Sequence, residues 1–401
     1  MGCSGVYTYD NIIKAEIEVN ENNLTCQIIN SINYYMSKNP TFLLNDDDFE
    51  QGNKLEKELK NSEIIINKKR IKFDYFYKFK KKGIYSIKYI FINPLTTLKF
   101  LFQNCSSLIS LDFSNFNSNE ITNMEYMFEY CSKLKNINLS NFNTTNVKSM
   151  KYLFAHCSSL KNLDLLNFNF QNVADIGGMF ISCEKLEEIK FNENTNSHKL
   201  IDMRNLFYEC KNLKNVDLSF LNTKNVTDFG CLFYGCQKLE KLDLSNFDTK
   251  NAENMGLMFD NCLKLKNLNI SNFETPKVIN MQYMFHNCNS LMKLDLKTFN
   301  TEKVSNFGFM FLNCFSLAYL DISNFKTNNA ISMDYMFSGC YSLITLDLSS
   351  MDIKDSIYID GMFYNCYSLL YIKKPNLENP FNFNKVFQNC NSLIHSNNRK
   401  K

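Results

Sequence analysis

Apolar residues return at fixed places along three-quarters of this chain. The stretch from Leu239 to Cys262 reads LEKLDLSNFDTKNAENMGLMFDNC, and the stretch from Leu265 to Cys288 reads LKNLNISNFETPKVINMQYMFHNC. The pattern is L-x-x-L-x-L-x-x-F-x-T-x-x-V-x-x-M-x-x-M-F-x-x-C, with Ala252 in the Val place of the first and Ile270 in the third Leu place of the second. Twelve cysteines mark the copies, beginning Cys105, Cys131, Cys157 and ending Cys366, Cys390. They stand 26 residues apart, except for one gap of 27 (Cys183 to Cys210) and a last gap of 24. A fixed period of this length is the signature of stacked repeats, not of one globular core.

Within a copy the pattern predicts two walls. Triplets such as Leu163-Asp164-Leu165 alternate inward and outward, which is a short strand. One strand per coil, stacked in parallel, predicts a sheet running along the array. Val147, Met150, Leu153 and Phe154 recur at close to every third residue, which predicts a helical or 3₁₀ turn on the opposite wall. The Asn-Phe-x-Thr stretch turns the chain between the walls. Residues 189–199 break the pattern: they lack the turn Phe and hold the extra residue. A tolerated surface insertion is the first reading, and a protruding contact loop the second. Near the end, Lys373 and Lys374 replace the acid and the last strand apolar residue, and Pro375 and Pro380 follow. That composition discourages further strand addition and predicts a C-terminal cap.

The first 94 residues lack the period. Alternation in Lys14–Ile29 around Asn20-Glu21-Asn22-Asn23 predicts a β-hairpin. Asp46-Asp47-Asp48 ahead of Leu55 and Leu59 predicts a helix begun by acids. Residues 63–66, 71–79 and 84–92 read as strands. The organisation expected is a β-rich N-terminal capping domain at 1–94, with an immunoglobulin-like form as candidate, repeats at 95–394 and a basic tail at 395–401.

Composition narrows the function classes. With 44 Lys+Arg against 41 Asp+Glu, the formal charge of +3 gives no reason to expect nucleic acid. No apolar run reaches the roughly 18 residues of a spanning helix. The N-terminus has no basic segment followed by an apolar one, so a cytosolic setting with reduced thiols is expected. Gly2 and Cys3 form a candidate acylation site, although Val6 replaces the usual Ser or Thr. Membrane association is expected only through such an anchor, at the inner leaflet.

The repeat M-F-x-x-C-x-x-L-x-x-L-D-L-S-x-F-x-T-x-x-V-x-x-M resembles the BspA-type leucine-rich repeat, also called DUF285 or the mycoplasma lipoprotein-associated repeat, of bacterial surface proteins and protists. The resemblance implies a right-handed leucine-rich-repeat solenoid that binds protein or adheres, with no catalysis. The ordinary repeat carries Asn or Cys three residues after its third Leu. Here Phe142, Phe247 and Phe325 stand there, which predicts a phenylalanine spine in place of an asparagine ladder. The cell-surface adhesin role is the alternative reading, and it lacks the export signal.

Candidate chemistry is sparse. Cysteines at 26-residue spacing form a line, whereas zinc needs thiolates converging on one point, so the column reads as buried packing. No metal or cofactor is expected. An enzyme using the column is the remote third reading. Four His are present, none beside a nucleophile motif. The outward middle strand position carries Asp112, Asp164, Asp217, Asp243, Asp295, Asp321 and Asp347. Recurrence in nearly every coil points first to turn caps and second to a docking strip. The candidate interaction strip is Asp217, Asp243, Asp295, Asp321, Asp347, Lys241, Lys293, Tyr319, Thr345 and Tyr371. Tyr126, Tyr152, Tyr283, Phe309 and Tyr335 share a position on the other wall and are expected to pack between coils. The function expected is a non-catalytic scaffold for a protein partner that the sequence does not name.

Overall fold

The structure is a computed structural model that describes residues 11–39, 46–354, 357–373, 376–377 and 383–393. Gly2, Cys3, Lys374, Pro375, Pro380, His395 and the basic tail lie outside the described residues. The chain divides into two compact units, Met1–Asn196 and Ser197–Lys401.

The first unit begins with β1 (Asn11–Val19), β2 (Thr25–Gln27), α1 (Ile32–Lys38), α2 (Asp46–Lys60), β3 (Glu63–Ile66), β4 (Lys69–Ile71), β5 (Phe76–Lys78) and β6 (Gly83–Ile90). The repeats follow with β7 (Leu108–Phe116), β8 (Asn136–Asn138), β9 (Asn162–Leu165) and β10 (Glu188–Phe191). Six of these strands form one sheet in the order β4-β3-β6-β1-β7-β8. β1 buries Ile13, Ala15, Ile17 and Val19 and turns Lys14 and Glu16 outward. It pairs antiparallel with β6 on one side and with β7, the first repeat strand, on the other. β7 then pairs in parallel with β8. The open edge of the first coil is thus covered by backbone hydrogen bonds, which removes a template for strand addition.

Two expectations for this region are corrected. The hairpin at Lys14–Ile29 is reduced to an isolated bridge between Asn20 and Asn23. β2 leaves β1 and pairs with β5, because β1 finds longer partners in β6 and β7. The immunoglobulin-like form is also wrong, since helices α1 and α2 pack together in place of a second large sheet. Ser31 caps α1 by accepting from the Tyr34 amide, and Leu55 and Leu59 of α2 are fully buried.

The second unit holds β11 (Lys241–Asp243), β12 (Asn267–Asn269), β13 (Thr345–Asp347), β14 (Asp352–Ile353), β15 (Tyr371–Lys373), β16 (Asn376–Leu377) and α3 (Phe383–Val386). β11 pairs with β12, β13 with β15 and β14 with β16, all in parallel. The triplets at 215–217, 293–295 and 319–321 keep the strand position without ladder pairing.

The opposite wall is built from short turns, as the three-residue period predicts, with bonds three residues back inside each coil. Its backbone amides alternate. Met124, Tyr126, Phe128 and Tyr130 donate to carbonyls of the next coil at 2.9–3.1 Å. Met127, Glu129 and Cys131 donate three residues back within their own coil. Tyr126 and Tyr130 are the pivots, with φ of 57° and 60°. A left-handed residue at every fourth step breaks the helix, and its own amide donates to the neighbouring coil. The irregular stretch 189–199 divides between the units. In the first, β10 pairs with β9 and the Asn192 carbonyl accepts from the Thr195 hydroxyl, and in the second, Ser197 and Leu200 are buried.

Candidate functional site

Four side-chain ladders hold each unit's coils together and set its outer surface. The first is the cysteine column. Cys157, Cys183, Cys288 and Cys314 each donate S–H to the carbonyl of the Phe 29 residues earlier, at 3.1–3.2 Å. The same pattern runs through Cys131, Cys236, Cys262, Cys340 and Cys366, and Cys390 donates to the Phe363 carbonyl 27 residues earlier. Burial raises the pKa of the fully buried thiols, to about 12 for Cys183 and Cys340, so the reactive thiolate is suppressed.

The second ladder is aromatic. Phe233, Phe259, Phe285, Phe311 and Phe337 stack nearly parallel with centroids 5.5–5.9 Å apart. A second stack runs Tyr35, Phe100, Tyr126, Tyr152, and starts on α1. Tyr283, Phe309 and Tyr335 form its counterpart in the second unit. Gly178 and Gly361 terminate these columns: a Cβ there would lie 2.7 and 2.4 Å from the Tyr152 and Tyr335 rings.

The third is a threonine column whose role the sequence did not disclose. Thr275, fully buried, donates its hydroxyl to the Asn300 carbonyl at 2.8 Å and accepts from the Asn300 amide at 2.9 Å. Thr223 and Thr301 serve Asp248 and Lys326 in the same way. Ser197 supplies the hydroxyl in the irregular coil, accepting from the Asn222 amide. The fourth is an asparagine column, displaced by one residue from the ordinary position. Asn141, Asn246, Asn272 and Asn324, each preceding the turn Phe, donate to carbonyls of the preceding coil. The phenylalanine spine and an asparagine ladder therefore coexist.

The acid column is a set of turn caps. Asp217, Asp243, Asp295, Asp321 and Asp347 each accept from the amide two residues on, at 2.8–3.2 Å. The Ser245 hydroxyl and amide hold Asp243 below its ordinary pKa, and those of Ser323 do so for Asp321. Asp347 is lowered to about 2 by Ser349, with Lys373 adding to the effect. Crowding within the column is relieved locally. The Asn269 amide donates to Asp243 at 2.9 Å, and Lys373 Nζ lies 3.0 Å from Asp347. Lys373 thus joins β15 as the partner of an acid.

What remains outward on the strand face is the variable set. Asp217, Lys241, Asp243, Met292, Lys293 and Asp295 line an open groove of about 890 Å³ in the second unit. The structure brings these five charged residues of the candidate strip together. Asp321, Tyr319, Asp347, Thr345 and Tyr371 occupy equivalent positions in other coils. Tyr319 is 68% exposed and Tyr371 54%. Of the described histidines, His156 stacks on Tyr130 and is pushed down in pKa by burial. His286 Nδ1 lies 2.8 Å from Asp260.

Parallel strands at 26-residue intervals, closed by turns and side-chain ladders, define a leucine-rich-repeat solenoid. Residues 96–199, 187–293 and 284–399 match the family described as Mycoplasma protein of unknown function, DUF285. The chain belongs to that family. No curated protein matches it at the sequence level. Among solved structures it is similar to a leucine rich cell surface protein from Faecalibacterium prausnitzii A2-165, at 16% identity over 72% of this chain and 78% of that one, with a TM-score of 0.34. It is also similar to TLR13 in a complex with ssRNA13, at 16% identity over 71% of this chain and 49% of that one, with a TM-score of 0.23.

Proposed function

We propose that the chain is a non-catalytic scaffold that docks a protein partner on the strand face of its second unit. The observation that carries this reading is the division of labour within each coil. Cys, Phe, Thr, Asn and the Asp caps are committed to neighbouring coils or turns. Lys241, Met292 and Lys293 recur in no ladder and line the groove. Residues free to vary on a rigid frame are what a docking face requires. A cytosolic setting with reduced thiols belongs to the same proposal. Acylation at Gly2 and Cys3 is its anchor. Wild-type chain and a Lys241→Glu/Lys293→Glu double variant, each immobilised, test the docking face. Partner recovery is expected to fall at least tenfold in the variant, and equal recovery overturns the reading. Fractionation of Gly2→Ala tests the anchor, where unchanged membrane association removes it.

A further inference from the structure

The strand face of the second unit changes character toward its C-terminal coils. One residue after the ladder cysteine, Lys211 and Gln237 give way to Phe315, Tyr341 and Tyr367. Five residues after it, Asn215 and Lys241 give way to Tyr319, Thr345 and Tyr371. The register is fixed by backbone bonds. The Ile344 amide donates to the Ala318 carbonyl at 3.3 Å, the Leu370 amide to the Ile344 carbonyl at 2.8 Å, and Thr345 pairs with Tyr371. Two aromatic rows therefore run side by side along the stacking direction.

The rows differ in shape. Phe315 and Tyr341 stack at 4.7 Å, and the Tyr341 and Tyr367 rings meet tilted at 5.2 Å, so this row is a continuous wall. The other row is interrupted: Tyr319 and Tyr371 stand in the open with the short Thr345 between them. Coils step by about 4.8 Å. The two tyrosines are thus about 9.6 Å apart, flanking a slot floored by Thr345. A polyproline II helix repeats every three residues at about 3.1 Å each, or about 9.3 Å. Such a segment laid along the coils places one ridge per turn in register with this slot.

Charge selects the flank of the ligand. Asp347 is neutralised by Lys373 at 3.0 Å. Asp321, one coil earlier, binds the Ser323 amide and hydroxyl through one oxygen, Oδ1. Among the described residues, it has no ion pair within 4 Å. We propose that this face receives a proline-rich segment in the polyproline II conformation, with a Lys or Arg flank directed to Asp321. The inference rests on the strand face being the docking surface and names its ligand class. A flat sugar polymer suits the face less well, because stacking covers the ring faces of the Phe315 row. A second copy of the chain, docked face to face about a two-fold axis at Asp321, would bring Asp321 toward Asp321.

The test uses the full chain and a fluorescein-labelled decaproline with Arg at each end, followed by anisotropy. The control is a Gly-Ser peptide of equal length with the same two Arg. Saturable decaproline binding is expected, at least tenfold tighter than the control. Tyr319→Ala and Tyr371→Ala each weaken it about tenfold, as interface tyrosines do. Thr345→Tyr fills the slot while adding aromatic surface, and is expected to weaken binding by a similar factor. Asp321→Asn weakens it about threefold at low salt and has no effect at high salt. Unchanged melting temperatures certify the fold of each variant. The proposal is overturned by binding no tighter than the control, by tighter binding in Thr345→Tyr, or by self-association in sedimentation that Tyr319→Ala abolishes. If Lys241→Glu/Lys293→Glu loses the partner while decaproline fails, only the ligand class falls. If partner recovery ignores the groove and decaproline fails too, both readings fall.

Discussion

A buried threonine hydroxyl shows how much one atom carries here. Thr275 Oγ1 serves both the amide and the carbonyl of Asn300, so removing it strands two backbone groups at once. Thr275→Val is expected to lower stability by about 2 kcal/mol, while Thr275→Ser, which keeps both bonds, costs about 1 kcal/mol for the lost methyl. Urea unfolding of the pair gives the order, and a Val variant as stable as the Ser variant would contradict the account. Glu129 makes a different kind of prediction. It sits 9% exposed, and burial raises its carboxyl to about 7 against the Gln103 amide that donates to it at 2.8 Å. The folded state therefore holds a proton that the unfolded chain, near 4.5, has given up. Stability from this group is fully present below about pH 4.5 and is lost as the pH rises through 7. Glu129→Gln is expected to be more stable than wild type at pH 8, by a figure on the order of 2–3 kcal/mol, and equal to it near pH 4. Melting curves at the two pH values decide it.

At the scale of the element, the cysteine ladder converts packing into reactivity. Ladder thiols such as Cys262 and Cys288 are fully buried, donate to Phe carbonyls and are raised in pKa, so thiol reagents are expected to leave them untouched in the native protein. Cys231 and Cys390 are only partly buried. The Cys366 thiol stabilises the Cys390 thiolate and lowers its pKa, whereas burial lifts Cys231 to about 11. Cys390 should therefore react before Cys231, and the 14 cysteines from Cys26 onward should all titrate in denaturant. Peptide mapping after brief alkylation reads the order, and early labelling of Cys262 would refute it. The ladders also show what a sequence makes legible. The 26-residue period and the L-D-L triplets declared the strands and the inward faces, because inward positions admit few residue types. The turn wall was legible as a three-residue turn, but the same spacing is shared by a continuous 3₁₀ helix. What separates the two is the positive φ at Tyr126 and Tyr130, a backbone property that Tyr does not announce. The asparagine ladder was missed by one residue because the ordinary pattern was held to the Phe position. β1 was paired with its sequence neighbour, β2, because alternation fixes which face is buried and says nothing about distant partners such as β6 and β7.

At the scale of the molecule, the repeated contacts share one arithmetic. In the second unit, strand partners are 26 residues apart, threonine bonds 25, cysteine bonds 29 and aromatic partners 26. Each coil therefore sees only its neighbours, and the coils on either side of a removed repeat carry the same complementary groups. Deleting residues 263–288, one whole repeat, brings Cys314 to the Phe259 carbonyl in place of Cys288 and Asn300 within reach of Thr249. The shortened chain is expected to fold with the same circular dichroism per residue and a melting temperature lower by a few degrees. Deleting 24 residues from the same place puts every ladder out of step, aims polar residues at the core and should abolish cooperative melting. The long deletion removes more contacts than the short one, so an account based on contact number alone predicts the reverse order. The deletion also leaves Tyr319, Thr345 and Tyr371 in their own register while removing Asn267 and Asn269 from the groove. Decaproline binding should then survive, while the partner docked on the groove should be lost. A chain that keeps both the fold and the tyrosine slot but binds decaproline no longer would mean that the ligand reaches across the deleted coil.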